Sequence, residues 1–583
     1  MSISERSALS TDRRSRDLAE LDRRTASGTG PFDVLVIGGG VTGAGVALDA
    51  AARGLSVVLV EAADLASGTS SRSGKTVHGG LRYLEQLNVR LVLTALRERE
   101  LQLNVIAPYL TTTEPFLFPL TRHWERGYIG AGVALYDLLA GRATKVPHHR
   151  QLSRKAALAQ APGLNRDVIT GGVQYSDLLI DDARHTMTVA RTAAGLGAVV
   201  LSRTRAIGLL REGARVVGAR VVDTLSGAEH EVSARVVVNA AGVWAADIRT
   251  LAGTAPFAMK PAKGVHLVVP RSALESSTGI LARAEDSVIV LRRWRNHWVI
   301  GTTDTPWNGE RTVPVAEDAD IEYLLRNSNK YLARPLTRRD VVATYAGLRP
   351  LLTAVGKDTG ATSALSRDHA VMPGPDGLVT IVGGKYTTYR AMAADTVDAV
   401  LSHGGLSAPP SPTASLPLVG AARWPATQHS GARLATEFGL SAERVSALLG
   451  RYGDLTREVV EAAAGDRAQL DEVPGTGHLA VEFHYAVSHE AALTLDDLLA
   501  RRTHVAIEQP DAGRSAAERV ARLVARQLGW DEAEIGRQVR DYYQVRRAEG
   551  STPADISSSG STILGGAAFD GDAFDDGNRG SAA

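Results

Sequence analysis

Residues Phe32 to Glu61 read FDVLVIGGGVTGAGVALDAAARGLSVVLVE. An apolar run, Val34 to Ile37, meets the turn Gly38-Gly39-Gly40. Gly43 and Gly45 then lead into an Ala-rich helical segment, and Ser56 to Val60 returns as a second apolar run before Glu61. Strand, glycine turn, helix, strand and acid form the order of a dinucleotide-binding unit. Gly38 permits the tight turn, Gly40 admits a pyrophosphate close to the main chain, and Gly43 lets the helix lie on the strand. The helix N-terminus offers free amides and a positive dipole end to the phosphates. Glu61, about 20 residues downstream, is placed to accept hydrogen bonds from a ribose, and its charge disfavours an NADP-type ligand.

The rest of the composition narrows the chemistry. Hydrophobic residues make up 44% of 583, enough for large cores in two or three domains. Lys plus Arg number 65 against 64 Asp plus Glu, so no bulk basic charge points to nucleic acid and any anion site must be local. The absence of cysteine removes disulfides, thiolate catalysis and Cys-held metals or iron–sulfur clusters. With no HExxH or comparable ligand pair, no metal is expected, and electrons would be carried by an organic cofactor.

Met1 to Gly30 is rich in Ser, Arg and Asp and lacks a signal-peptide core, so it reads as a flexible, solvated extension with a cytoplasmic start. No run reaches the roughly 20 apolar residues of a membrane span, which leaves only peripheral contact. Beyond Glu61, the loop Ala62 to Arg82 is full of hydroxyls and glycines with Lys75 and His78 among them, suited to a pyrophosphate and a flavin edge. Leu84 to Ala107 has helical spacing. Trp124 to Leu139 is amphipathic with aromatic and basic flanks, and fits either an interfacial helix or a core helix of a cap domain.

Asp181 and Asp182 are most simply a helix cap before Ala183 to Leu196. Val199 to Val238 reads as an antiparallel excursion inserted into the nucleotide-binding domain. The strand Ala234 to Asn239 then ends in small residues, Ala240-Ala241-Gly242, which let backbone approach a cofactor. His266 lies in the strand Lys260 to Pro270, and spacing alone does not single it out as a catalyst. Arg349 precedes a proline and is held extended. Leu378 to Val382 closes on Gly383-Gly384-Lys385, a second amide-rich helix start. Residues 409–420 are a Pro/Ser linker, 421–548 a helical domain, and 549–583 a disordered tail.

Taken together, GGGVTGAG, SGTSSRSGKTVHGGLRYLE, YSDLLIDDAR, KGVHLVVP, GTTDT, AGLRPL, SRDHAV, VGGKYTTYR and HEAALTLDDLLARRT resemble the FAD-dependent glycerol-3-phosphate dehydrogenases over Phe32 to Arg547. The resemblance implies an α/β fold: a Rossmann-like FAD domain and an inserted antiparallel-sheet substrate (cap) domain, interleaved over residues 31–408, plus the helical C-terminal domain. It implies oxidation of sn-glycerol 3-phosphate to dihydroxyacetone phosphate, with electrons passed to membrane quinone on the cytoplasmic face. Gly38, Gly39, Gly40, Thr42, Gly43 and Glu61 fall on its FAD fingerprint. Thr69, Ser70, Ser71, Lys75, His78 and Gly79 fall on its flavin loop, with Ala241, Gly242, Gly384, Lys385 and Thr387 as further cofactor contacts. Arg82, Tyr83, His266, Arg349, Arg367 and Lys385 match its substrate pocket. Gly74 departs from it, since relatives often have serine there. Trp124 to Leu139 occupies the place of a membrane-binding region, and the C-terminal domain either covers the first domain or makes subunit contacts in a homodimer.

These residue types suit the reaction. Guanidiniums and an ammonium from separate segments can cage a phosphate monoester. His266, with a pKa expected near neutrality, is the first candidate for the base that takes the C2 hydroxyl proton, and Lys385 or Arg349 for stabilising the alkoxide. Open alternatives are an oxygen-using glycerol-3-phosphate oxidase, an amine or amino-acid oxidase, and a non-catalytic FAD-binding protein.

Overall fold

The computed structural model describes residues 6–27, 30–84, 88–141, 144–253, 259–285, 287–352 and 368–550. The strand Phe32–Ile37 lies at the centre of a parallel sheet, between Val57–Val60 and Glu229–Asn239. Val199–Leu201 extends the sheet on one side and Leu378–Gly383 on the other, also parallel. The central strand is apolar throughout because both of its faces are covered. Val34 and Val36 pack under the helices Val41–Ala52, Asp182–Gly195 and Tyr389–Gly404. Leu35 and Ile37 face the antiparallel strands Thr204–Glu212 and Arg215–Asp223, the excursion read from the sequence.

A second, mostly antiparallel sheet forms the cap. Its strand Met259–Pro270 runs between His297–Gly301 and Ala343–Leu352, so that His266 stands opposite Gly301 on one side and Tyr345 on the other. Val288–Trp294, Gly279–Arg283, Thr111–Leu120 and Gly171–Ile180 continue the sheet outward. One face packs on its own helices, including Asp318–Asn329. Much of the other face looks toward the carboxyl ends of the parallel strands.

A buried ion pair ties the two sheets together. Lys75 leads into the short strand Thr76–Val77 of the cap sheet, and Asp182 starts a helix lying on the parallel sheet. Both side chains are fully buried, with Nζ 2.5 Å from the carboxylate. The same carboxylate accepts from the Ser73 amide at 3.0 Å and the Ser73 hydroxyl at 2.6 Å. Asp181, one residue earlier, is the helix cap, accepting from the Arg184 amide.

The C-terminal helices, among them Ala442–Tyr452, Ala480–His489, Arg514–Leu528 and Glu532–Ala548, enclose two cores of their own. They are clamped to the domain of the parallel sheet by buried charge: Asp64 between Arg501 and Arg502, and Arg184 with Glu490. The helix Ala480–His489 ends there, and the chain resumes helical winding as a wider turn, Asp497–Arg502, which aims the two arginines at Asp64.

Two expectations are corrected. The segment read as a flexible extension carries a helix, Thr11–Ser27, with Leu21 buried against the parallel sheet and Arg14 paired with Asp223. Its many charges hide a short apolar stripe. The Pro/Ser stretch read as a linker is packed rather than free: Leu418 is buried in the main core, and Thr413 hydrogen bonds to Asp49. Residues 551–583 of the tail expected to be disordered lie outside the described residues, while Glu549 pairs with Arg72 and Arg546.

Removing one partner of a buried pair strands the other charge. Asp182→Ala is expected to destabilise the protein by about 3–5 kcal/mol, and adding Lys75→Met should recover most of that loss. Thermal melting followed by circular dichroism checks both. An unchanged midpoint in Asp182→Ala would show that the pair does not hold the sheets together.

Candidate active site

A cavity of about 1910 Å³ lies between the parallel sheet and the cap. This exceeds the roughly 300–1,000 Å³ of an ordinary small-molecule site and suits a dinucleotide with a small substrate beside it. Its first part is the glycine cradle. Gly38 has φ of 118°, and a Cβ there would sit 2.6 Å from the Ala240 carbonyl oxygen. At Gly43 a Cβ would come within 1.9 Å of the Gly38 oxygen, so the helix can lie this close only without a side chain. The Ser70 hydroxyl accepts from the Val41 amide, fixing the loop after Glu61 to the helix start.

Glu61 lines this part of the cavity. Its carboxylate accepts from the Gly39 amide at 2.6 Å and the Ala63 amide at 2.8 Å, and burial holds its pKa above the ordinary carboxylate value. The second amide-rich start is equally placed. Gly383 and Gly384 both have positive φ, and Lys385 and Thr387 follow on the cavity wall, where Thr387 receives the His78 amide at 3.2 Å. The absent side chains, open amides and terminal acid fit an FAD.

The cofactor candidates divide by position. Gly38, Gly40, Thr42, Glu61, Thr69, Ser70, His78, Ala241, Gly242, Gly384, Lys385 and Thr387 line the cavity. Gly39, Gly43, Ser71, Lys75 and Gly79 do not. Gly39 acts through Glu61, and Gly43 through helix packing. Gly79 is pressed against Tyr136 and Leu96, where a Cβ would lie within 2.4 Å of either. Lys75, expected at the flavin, instead turns into the protein to neutralise Asp182, and its ammonium also donates to the Ser71 carbonyl.

At the substrate end, Tyr83, His266, Arg349 and Lys385 share the cavity wall. Lys385 holds its ammonium 3.4 Å from the centre of the Tyr83 ring. Arg349 reaches past Gly264 and donates to the Thr303 carbonyl and to Asp304 at 3.2 Å. His266 is buried, stacked on Tyr345 with ring centres 4.7 Å apart and planes 12° apart. Gly301 makes room for it, since a Cβ there would lie 2.2 Å from the imidazole. Burial, then Arg292, Arg349 and Lys75, hold its pKa well below the ordinary histidine value, which corrects the near-neutral expectation. Arg367 lies outside the described residues, as does the side chain of Arg82.

Sequence reasoning passed over Arg292 and the apolar wall. Val288, Val290 and Arg292 alternate onto the cavity face, while Ile289 and Leu291 enter the cap core. The period-two pattern in VIVLRRW was the available signal, since an arginine there falls in phase with the cavity-facing valines. Phe116, Phe118, Tyr128, Ile129 and Leu135 make another part of the wall apolar.

Comparison with known proteins agrees with this geometry. Residues 33–390 match the model of the FAD dependent oxidoreductases, and residues 411–535 match the C-terminal domain of alpha-glycerophosphate oxidase. Glycerol-3-phosphate dehydrogenase 2 of Mycobacterium tuberculosis (strain ATCC 25618 / H37Rv) is 50% identical over 537 residues, 91% of each chain. The mitochondrial glycerol-3-phosphate dehydrogenase of Homo sapiens is 37% identical over 552 residues, 89% of this chain and 74% of that one. The crystal structure of a glycerol-3-phosphate dehydrogenase from Bacillus halodurans complexed with FAD superposes with a TM-score of 0.76 at 29% identity, covering 93% of this chain and 98% of that one. With both its sheets and its helical domain accounted for by such relatives, the chain belongs to the FAD-dependent glycerol-3-phosphate dehydrogenase family, and its cofactor is FAD.

Proposed function

We propose that this protein oxidises sn-glycerol 3-phosphate at C2 to dihydroxyacetone phosphate and delivers the electrons to a membrane quinone. The observation that carries this reading is one cavity wall that brings Arg349 and Lys385, with Arg292 beside them, to a buried imidazole, His266, whose pKa is lowered by burial, Arg292 and Arg349, on the cavity that contains the FAD cradle. A phosphate monoester brings close to two negative charges at neutral pH, which Arg349 and Lys385 are suited to meet. Bound FAD supplies the acceptor for the hydride lost from C2. His266 takes the hydroxyl proton, and its neutral form is the one able to do so. The nearby cations favour the oxygen as it becomes negative.

The quinone half rests on the protein surface. Trp124 and Leu138 are 59% and 76% exposed at the two ends of the helix Glu125–Ala140 and its cap, with Tyr128 and Leu135 between them. Val89 and Leu93 are exposed on the neighbouring helix Val89–Leu101. Tyr128 and Leu135 also line the cavity, so the apolar surface is continuous with the site. Among the described residues no helix is long and apolar enough to cross a membrane. The arrangement suits a protein that lies on a bilayer and takes its acceptor from it.

Three measurements test this. In anaerobic titration, glycerol 3-phosphate should bleach the flavin while glycerol, sarcosine and lactate do not. Arg349→Ala should weaken the apparent affinity about tenfold or more, the loss of a charge-assisted hydrogen bond. Bleaching by an amine would move the protein to another class of oxidase. In the second test, the rate of flavin reduction should be level at neutral pH and fall as pH drops through a value below the ordinary histidine range, because a lowered pKa keeps the imidazole unprotonated until then. His266→Asn should lose that limb and slow reduction by about 10²–10⁴. In the third, Leu138→Asp should cut binding to phospholipid vesicles about tenfold, since a leucine buried at an interface is worth roughly 1.5 kcal/mol or more, with flavin reduction by substrate unchanged. Stoichiometric peroxide with no quinone reduction would identify an oxidase instead.

A further inference from the structure

Arg292 stands out among the buried charges of the cavity wall. It is only 2% exposed, and its Nη1 has no hydrogen-bond partner. No carboxylate lies within ion-pair distance of it among the described residues. A buried guanidinium left in this state is costly and calls for a physical reason. Its Nη2 donates to the Tyr345 hydroxyl at 3.4 Å, and its guanidinium lies 5.5 Å from the Trp294 ring centre. The Tyr345 hydroxyl in turn donates to the Ser73 carbonyl at 3.1 Å. The phenol is therefore held from two sides, and its ring is the surface on which His266 is stacked.

Other charged groups face His266 from the elements packed around it. Lys75 comes from the flavin loop, but Asp182 neutralises it at 2.5 Å. Arg349, on the same strand as Tyr345, is paired with Asp304 at 3.2 Å. Arg292, on Val288–Trp294, is the cation of the three without such compensation, and a charge without a counter-charge keeps its field in a low-dielectric site. Among these charges it is also the largest contributor to the lowered His266 pKa, after burial itself.

We infer that Arg292 is the positioning residue for His266: through Tyr345 it fixes the plane of the imidazole, and its uncompensated charge keeps that ring ready to accept a proton. The role rests on the proposed function, in which His266 is the base. It gives the unpaired charge a use, since neutralising Arg292 with an acid would cancel the effect on the ring.

The test uses the full FAD-loaded chain with isotope-labelled histidine. The His266 imidazole resonance, identified by its loss in His266→Asn, is titrated by NMR without substrate, and the acid limb of anaerobic flavin reduction by glycerol 3-phosphate is measured in parallel. In Arg292→Met, both the resonance midpoint and the kinetic limb should move up by about one pH unit. Arg292→Lys, which keeps the charge, should leave both near their wild-type positions. Arg292→Gln provides a second neutral variant in case the methionine variant folds poorly. A midpoint that stays put in both neutral variants, while His266→Asn still abolishes the limb, overturns the role of Arg292 and leaves the base assignment standing. A limb that survives in His266→Asn removes the base assignment, and the role of Arg292 with it.

Discussion

The structure depends on a carboxylate that never meets solvent. Asp182 gathers the Lys75 ammonium, the Ser73 amide and hydroxyl and its own helix-start amide at Ala183, and its carbonyl receives the Tyr386 hydroxyl. These donors come from the loop after Glu61, the helix on the parallel sheet and the turn before the helix Tyr389–Gly404. A buried carboxylate so satisfied is hard to move, because displacement would leave several donors unpaired in a medium that penalises each of them. The loop that forms one wall of the cavity thus takes its shape from a point behind it. Lys75, although in the loop, belongs to that support rather than to the cofactor surface.

This explains where the sequence could be read and where it could not. The Rossmann unit was legible because its demands are local: Gly38 needs a positive φ, Gly43 needs contact with the Gly38 carbonyl, and Glu61 follows at fixed spacing. The cap strands and His266 became legible as a site only through family resemblance, since nothing in KGVHLVVP says which face looks at a ligand. The direction of Lys75 was not legible, because its partner is 107 positions away in sequence. Asp181 and Asp182 were read as one helix cap, and only Asp181 is that cap. The N-terminal helix was missed for a related reason: Leu21 gains burial from strands around residues 199–237, which composition cannot anticipate.

The electrostatics of the site follow from an imbalance of charge. Lys75 and Arg349 have acidic partners, while Arg292 has none among the described residues, so the wall around His266 is positive. Such a wall favours an anionic substrate and disfavours an imidazolium, and both effects come from the same charges. The same field opposes the imidazolium that would form if His266 accepted a proton, and an anion bound beside it offsets that opposition. Tyr345 adds a mechanical constraint: a ring stacked at 4.7 Å leaves the imidazole little freedom to turn out of plane.

The cavity also has two regions of contrasting character. Asp496, Arg501 and Val545 of the C-terminal domain reach its wall, and Arg501 and Arg502 grip Asp64 three residues beyond Glu61. A clamp of buried charges resists opening, because separating it would expose charges held at 2.5 to 2.8 Å to competing water only after breaking all of them together. On the apolar side, Tyr128 and Leu135 combine cavity contact with solvent exposure, and no comparable ion pairs bind them. A dinucleotide must remain through many turnovers, whereas an electron acceptor must come and go. The charged grip lies three residues beyond Glu61 at the glycine cradle, and the apolar side carries no such grip, so the two walls differ in how firmly the fold closes them.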